Sequence, residues 1–240
     1  VLAVADRLIN NTAPEAAALQ PSFLRNVWLS EAATQFVKQA AMAAAADGLP
    51  GRIVTSTIRL VKAWVRKGLQ QQWGMQGYKR LKSFQIELLV LHAAERLAAK
   101  LRSSTAGDSS SGGYVLDLLL VVLEVAEDWA AAAAAASEPR QPVLFTDLAG
   151  GKYYSQQQAL ALQLLGLWTT TSSNSSSSRG LGQPLVVHPV DPTCSVFDQA
   201  VAPFELWAEV GRAAQLLRQQ LLNCSWGEIR KELSLSAVVA

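Results

Sequence analysis

Arg59, Lys62 and Arg66 recur three and four residues apart in Ile58-Arg59-Leu60-Val61-Lys62-Ala63-Trp64-Val65-Arg66. On a helix this spacing lines the cations up beside an apolar face made of Ile58, Val61, Val65 and Leu69. A row of fixed cations is suited to phosphates. Taken alone, the same spacing also describes the solvated side of an ordinary amphipathic helix, so neighbouring residues must decide. They lie in Leu81-Lys82-Ser83-Phe84-Gln85-Ile86-Glu87-Leu88-Leu89-Val90-Leu91-His92, where a helix apolar on nearly every side follows a polar start. Ser83 reads as its N-cap, and the exposed N–H groups of such an end favour an anion. Arg59, Lys62 and Ser83 are then a triphosphate clamp: Lys62 a point charge, Ser83 a hydroxyl donor, the helix end a partial positive charge. Capping alone is the competing role for Ser83.

The elements that must hold these residues are helical. Apolar spacing of three and four marks helices near residues 15–45, 54–70, 83–101, 114–136, 155–170 and 203–222. The expected fold is therefore all-α, a helical bundle with short extended connectors at Pro142 to Phe145 and Leu185 to His188, where prolines interrupt any helical period. The last helix opens with Pro203, and Trp207, Val210, Ala214, Leu217 and Leu221 form a face that must be buried. Residues 1–240 are read as a single helical domain with low-complexity insertions near 103–113, 130–136 and 169–182. The two Ser/Gly-rich tracts cannot pack a core, whereas the alanines extend a helix.

Half of the 240 residues are hydrophobic, enough to bury a core. The net charge of +2 neither proclaims nor excludes an anionic partner. Asp117, Glu124, Glu127 and Asp128 interrupt the most apolar window, so no membrane segment is expected. Two cysteines, Cys194 and Cys224, are too few for a disulfide framework or a zinc site. They read as plain buried or half-buried thiols in a reducing, cytoplasmic setting. His92 and His188 stand far apart in sequence and suggest neither a metal site nor a dyad, and Glu124, Glu127 and Asp128 read as one solvated helix edge. Tyr153, Tyr154 and Trp73 read as packing residues, since no basic residues interleave with them. No residue is assigned as catalytic or metal-ligating.

Ile58-Arg59-Leu60-Val61-Lys62-Ala63-Trp64, followed by Lys82-Ser83-Phe84 and Glu87-Leu88-Leu89, resembles the C-terminal domain of the 2′-5′ oligoadenylate synthases. Related cyclic-nucleotide synthases carry a similar Arg-x-x-Lys-x-Trp and Lys-Ser-aromatic pair. A third block, Pro184-Leu185-Val186-Val187-His188-Pro189-Val190-Asp191-Pro192-Thr193, resembles the family's proline-aspartate loop, and Trp207 stands where a tryptophan-led helix is expected. His188 takes the place of the family's usual Asp, and Cys194-Ser195 follow where an Asn is usual.

The resemblance implies a two-lobed nucleotidyltransferase that joins ATP-derived nucleotides with release of pyrophosphate. Its upstream lobe would carry a Gly-Ser turn and three aspartates holding two Mg2+ ions. Neither the turn nor the aspartates occur in this chain. Val1 to Leu8 resembles the stretch just after the third aspartate, with Asp6 not being that residue, so the chain is read as a fragment whose upstream lobe is absent. By the same resemblance Lys62 would hold the triphosphate of ATP, with Arg59 beside it and Ser83 or Phe84 near the nucleotide. Lys38 and Arg52 precede the first block, where animal members touch double-stranded RNA by sequence-independent phosphate contacts. The alternative expectation is a catalytically inactive module that senses RNA or binds a protein partner.

Overall fold

In the computed structural model of the chain, the residues described are 21–46, 49–69, 81–103, 114–134, 142–145, 157–158, 184–191, 196–197 and 206–224. Five α-helices account for most of them: α1 Pro21–Ala46, α2 Gly51–Ala63, α3 Ser83–Ser103, α4 Tyr114–Ala134 and α5 Leu206–Asn223. The all-α expectation holds. Of the helix expected over 155–170, Gln157 and Gln158 are described and helical; the rest lies outside the described residues. So do Pro203, Cys194, Trp73, Tyr153, Tyr154, the N-terminal segment and nearly all of the two Ser/Gly tracts.

α4 is the centre of the bundle. It is apolar around most of its circumference, burying Leu118, Val122, Leu123, Val125, Ala126, Trp129 and Ala133, which is the pattern of a helix largely enclosed by its neighbours. It packs most extensively on α5, then on α3 and α2. The close approach of α4 and α5 depends on a missing side chain. A Cβ on Gly211 would lie 2.4 Å from the Ala130 Cβ, so glycine and alanine meet where two helices cross. The alanines at 130–134 thus serve packing as well as helix length, with Ala130 against the core and Ala133 buried.

The α5 face meets its expectation: Trp207, Val210 and Ala214 are buried, while Leu217 and Leu221 are partly buried against the same core. Trp207 packs edge-on against Phe197 and Trp129, with ring centroids 5.3 and 5.5 Å away. Carboxylates on α4 pair with both neighbouring helices. Glu124 faces Lys100 at 3.6 Å and Asp128 faces Arg96, both on α3, while Glu127 faces Arg218 of α5 at 3.3 Å. The edge expected to be merely solvated is instead a set of interhelical ion pairs, because α3 and α5 place cations opposite it. Cys224, expected to be buried or half-buried, is exposed just beyond the end of α5.

The extended connectors meet in a single parallel bridge between Val143 and Val186. The Val143 N–H donates to the Leu185 carbonyl at 2.9 Å, and the Val187 N–H to the Val143 carbonyl at 3.1 Å. Prolines at 142, 184 and 189 remove donors on either side, which limits the pairing to this one step.

Candidate phosphate-binding site

α2 buries Val54, Thr57, Ile58 and Val61, and its apolar face continues through Val65 and Leu69. Each such aliphatic side chain contributes about 1.5–3 kcal/mol on burial, so the rotation of α2 about its axis is set by its core face. Beyond Ala63 the chain continues as a wider π-helical segment, Trp64–Leu69, where an unbroken α-helix to residue 70 is expected from spacing. Single π turns of this kind frequently occur at functional positions. Gly68 lies under the Trp64 ring, where a Cβ would come within 3.1 Å of Cδ1.

α3 begins differently from the sequence reading. The Ile86 N–H donates to the Lys82 carbonyl at 3.3 Å, making Lys82 the capping residue and Ser83 the first helical one. The Gln85 side chain closes the cap, its Oε1 accepting the Lys82 N–H at 2.9 Å. This is the reciprocal half of a capping box, supplied by the third helical residue. Gln85 is buried, and its Nε2 donates to the Val196 carbonyl at 3.3 Å. One amide thus fixes the start of α3 and ties it to the turn before α5. Relieved of capping, the Ser83 hydroxyl is available to other groups.

α2 and α3 run antiparallel, and two polar rungs join them. Lys62 Nζ donates to Glu87 Oε1. One turn along, Arg66 Nη2 donates to Ser83 Oγ at 2.7 Å. Lys62 and Arg66 are four residues apart, as are Ser83 and Glu87, so each pair occupies one helix face. The two rungs are about 6 Å apart along the axes. The Lys62 and Glu87 side chains retain 23% and 21% of their exposure. Arg66 is exposed and Ser83 half-buried.

Of the residues expected in the clamp, the fold therefore brings Lys62 and Ser83 to neighbouring rungs. Arg59 is exposed one turn further from Ser83, and Arg66 takes the position beside the hydroxyl. Phe84 is half-buried against the core, its ring 5.3 Å from that of His188. His188 in turn organises the proline-aspartate loop, because its Nδ1 accepts the N–H groups of Val190 and Asp191 at 3.2 Å each. An imidazole nitrogen here does what an Asp oxygen does in an Asx turn. Lys38 on α1 and Arg52 on the first turn of α2 are both exposed.

Sequence reasoning missed the roles of Glu87, Arg66, Gln85 and His188. Two signals were present: Gln85 stands three residues after the capping position, as a capping box requires, and Glu87 follows Ser83 by one turn. His92 is half-buried, with its ring stacked 6.1 Å from Trp129 and edge-on to Phe145. Its Nδ1 makes no hydrogen bond among the described residues, with Glu95 Oε2 3.6 Å away. Among the described residues no three His, Cys, Asp or Glu side chains gather in a way that suits a metal ion, and no helix is long and apolar enough to cross a membrane. The chain matches no family model, no curated protein and no solved structure.

Proposed function

We propose that this chain is the nucleotide-gripping half of a nucleotidyltransferase that joins ATP-derived nucleotides with release of pyrophosphate. The observation that carries the reading is the two-rung ladder, in which Lys62 and Arg66 meet Glu87 and Ser83 at the opening of α3. Phosphate binding needs cations held in place beside a hydroxyl donor and the N–H groups of a helix start, and all three converge there.

In the reaction proposed, an acceptor hydroxyl gives up its proton to solvent as its oxygen attacks the α-phosphorus of ATP, the bond from that phosphorus to the α–β bridging oxygen breaks, and pyrophosphate leaves with the electron pair. Negative charge grows on the leaving phosphates. Lys62 is the group that meets it, as a point charge already anchored by Glu87 and therefore needing little reorganisation. Ser83 accepts from Arg66 and keeps its own hydrogen to donate to a non-bridging oxygen. Arg59 adds charge one turn away, and Phe84 flanks the nucleotide. The two Mg2+ ions implied by the resemblance find no fitting ligand set among the described residues. The reading therefore gives them no step on this chain.

The test is Lys62→Ala in the full-length protein, with incorporation of labelled ATP into oligonucleotide as the readout. Losing one preorganised charge at the leaving group lowers the rate by about a hundredfold. Incorporation at the unaltered rate refutes the clamp.

A further inference from the structure

The exposed side of α2 and the π segment carries a row of charge that extends beyond the clamp, as far as Arg52. Arg52, Arg59 and Arg66 are seven residues apart and all exposed. Seven α-helical residues are nearly two turns, so Arg52 and Arg59 share a face within about 20°; Arg66, three residues into the wider π segment, is turned further round and is also exposed. At about 1.5 Å per residue Arg52 and Arg59 are roughly 10 Å apart along the α-helix, and Arg66 extends the file into the π segment. From Gly51 to Leu69 there is no Asp or Glu, while Lys62 and Lys67 add two further cations. The helix therefore offers no internal carboxylate to its arginines, and the file ends at the Arg66–Ser83 rung of the clamp.

The partner is narrowed by what surrounds the file. The opposite face of α2 is locked in the core through Val54, Ile58, Val61 and Val65. It cannot roll over onto a lipid surface, and Leu60 is the one large apolar side chain that α2 exposes. Among the residues of the neighbouring α1 whose side chains are described, Glu31 and Lys38 are the exposed charged ones, one of each sign. A duplex presents two backbones across a groove, whereas a single strand needs one row.

We infer that the Arg52–Arg59–Arg66 file is a track for a single-stranded oligonucleotide running away from the clamp, that is, for the product of the joining reaction. The inference rests on the nucleotide-joining reading of Lys62 and Ser83. Its test is the anisotropy of a fluorescein-labelled single-stranded oligoadenylate of about ten nucleotides, within the usual range of single-strand site sizes, titrated with the full chain at several salt concentrations. Three phosphate contacts imply a log–log slope of about −2, or about an 18-fold loss of affinity for a fourfold rise in salt. Arg52→Glu removes one contact and reduces that loss to about sevenfold. Ser56→Glu puts a carboxylate between Arg52 and Arg59 on the same exposed face; it weakens strand binding severalfold and leaves ATP binding, measured by equilibrium dialysis, unchanged. Equal slopes for the parent chain and Arg52→Glu overturn the track, as does tighter binding of a duplex than of the single strand. Lys62→Ala with undiminished ATP binding but the expected slopes sinks the clamp and leaves the track as a strand-binding surface.

Discussion

Removing the Glu87 carboxylate should expose how much the ladder contributes to the fold. Lys62 and Glu87 keep only 23% and 21% of their side-chain exposure, so the pair is neither a surface ion pair nor a fully buried one. Surface pairs contribute about 0–1 kcal/mol, and breaking a buried pair from one side costs about 3–5 kcal/mol. The intermediate burial places Glu87→Gln at about 2 kcal/mol, most of it from leaving the Lys62 ammonium half-buried without its partner. For a chain of this size that lowers the melting temperature by about 4–8 °C. The assay is a double-mutant cycle by urea unfolding, using Glu87→Gln, Lys62→Met and both together. Because each single change strands the other partner, the double variant should recover about 1–2 kcal/mol relative to the sum of the singles. Raising salt from low to high should shrink that coupling only slightly, since partly buried charges are poorly screened. Strict additivity of the two changes refutes the first rung, and a coupling abolished by salt shows the pair to be solvent-exposed.

Gly211→Ala should destabilise the chain by about 1–3 kcal/mol through overpacking, because the new Cβ would meet Ala130 at 2.4 Å; Ala130→Gly in the same chain should return much of that loss in a thermal melt. His188→Ala removes the acceptor of two backbone N–H groups, at about 1–2 kcal/mol. His188→Asp should retain most of the stability, and equal destabilisation by the two changes in denaturant unfolding contradicts the Asx-like role of the imidazole.

The bundle was legible in the sequence because its helices present apolar residues every three or four positions, and burying such a face determines each helix's rotation wherever its neighbours sit. That is why Ile58, Val61, Val65 and Leu69 could be read as core from their spacing. Trp207, Val210 and Ala214 could be read in the same way. It is also why the cations of α2 could be read as a stripe, since their outward direction follows from the inward direction of the valines. Chain-local chemistry stayed legible down to single residues, as at the prolines that reduce the connector pairing to one bridge.

What only the tertiary structure decided is which polar groups meet across elements. Nothing local to Lys62 points to Glu87, which is 25 residues away and finds it because α2 and α3 pack antiparallel in one particular register. A shift of one turn would have set Lys62 beside Ser83 instead. The same register frees Ser83 from capping, since Gln85, pinned by the Val196 carbonyl, closes the helix start instead. Burial of apolar faces is non-directional and can be read from periodicity, whereas a hydrogen bond has a reach of about 3 Å and so depends on a register that many distant contacts set together.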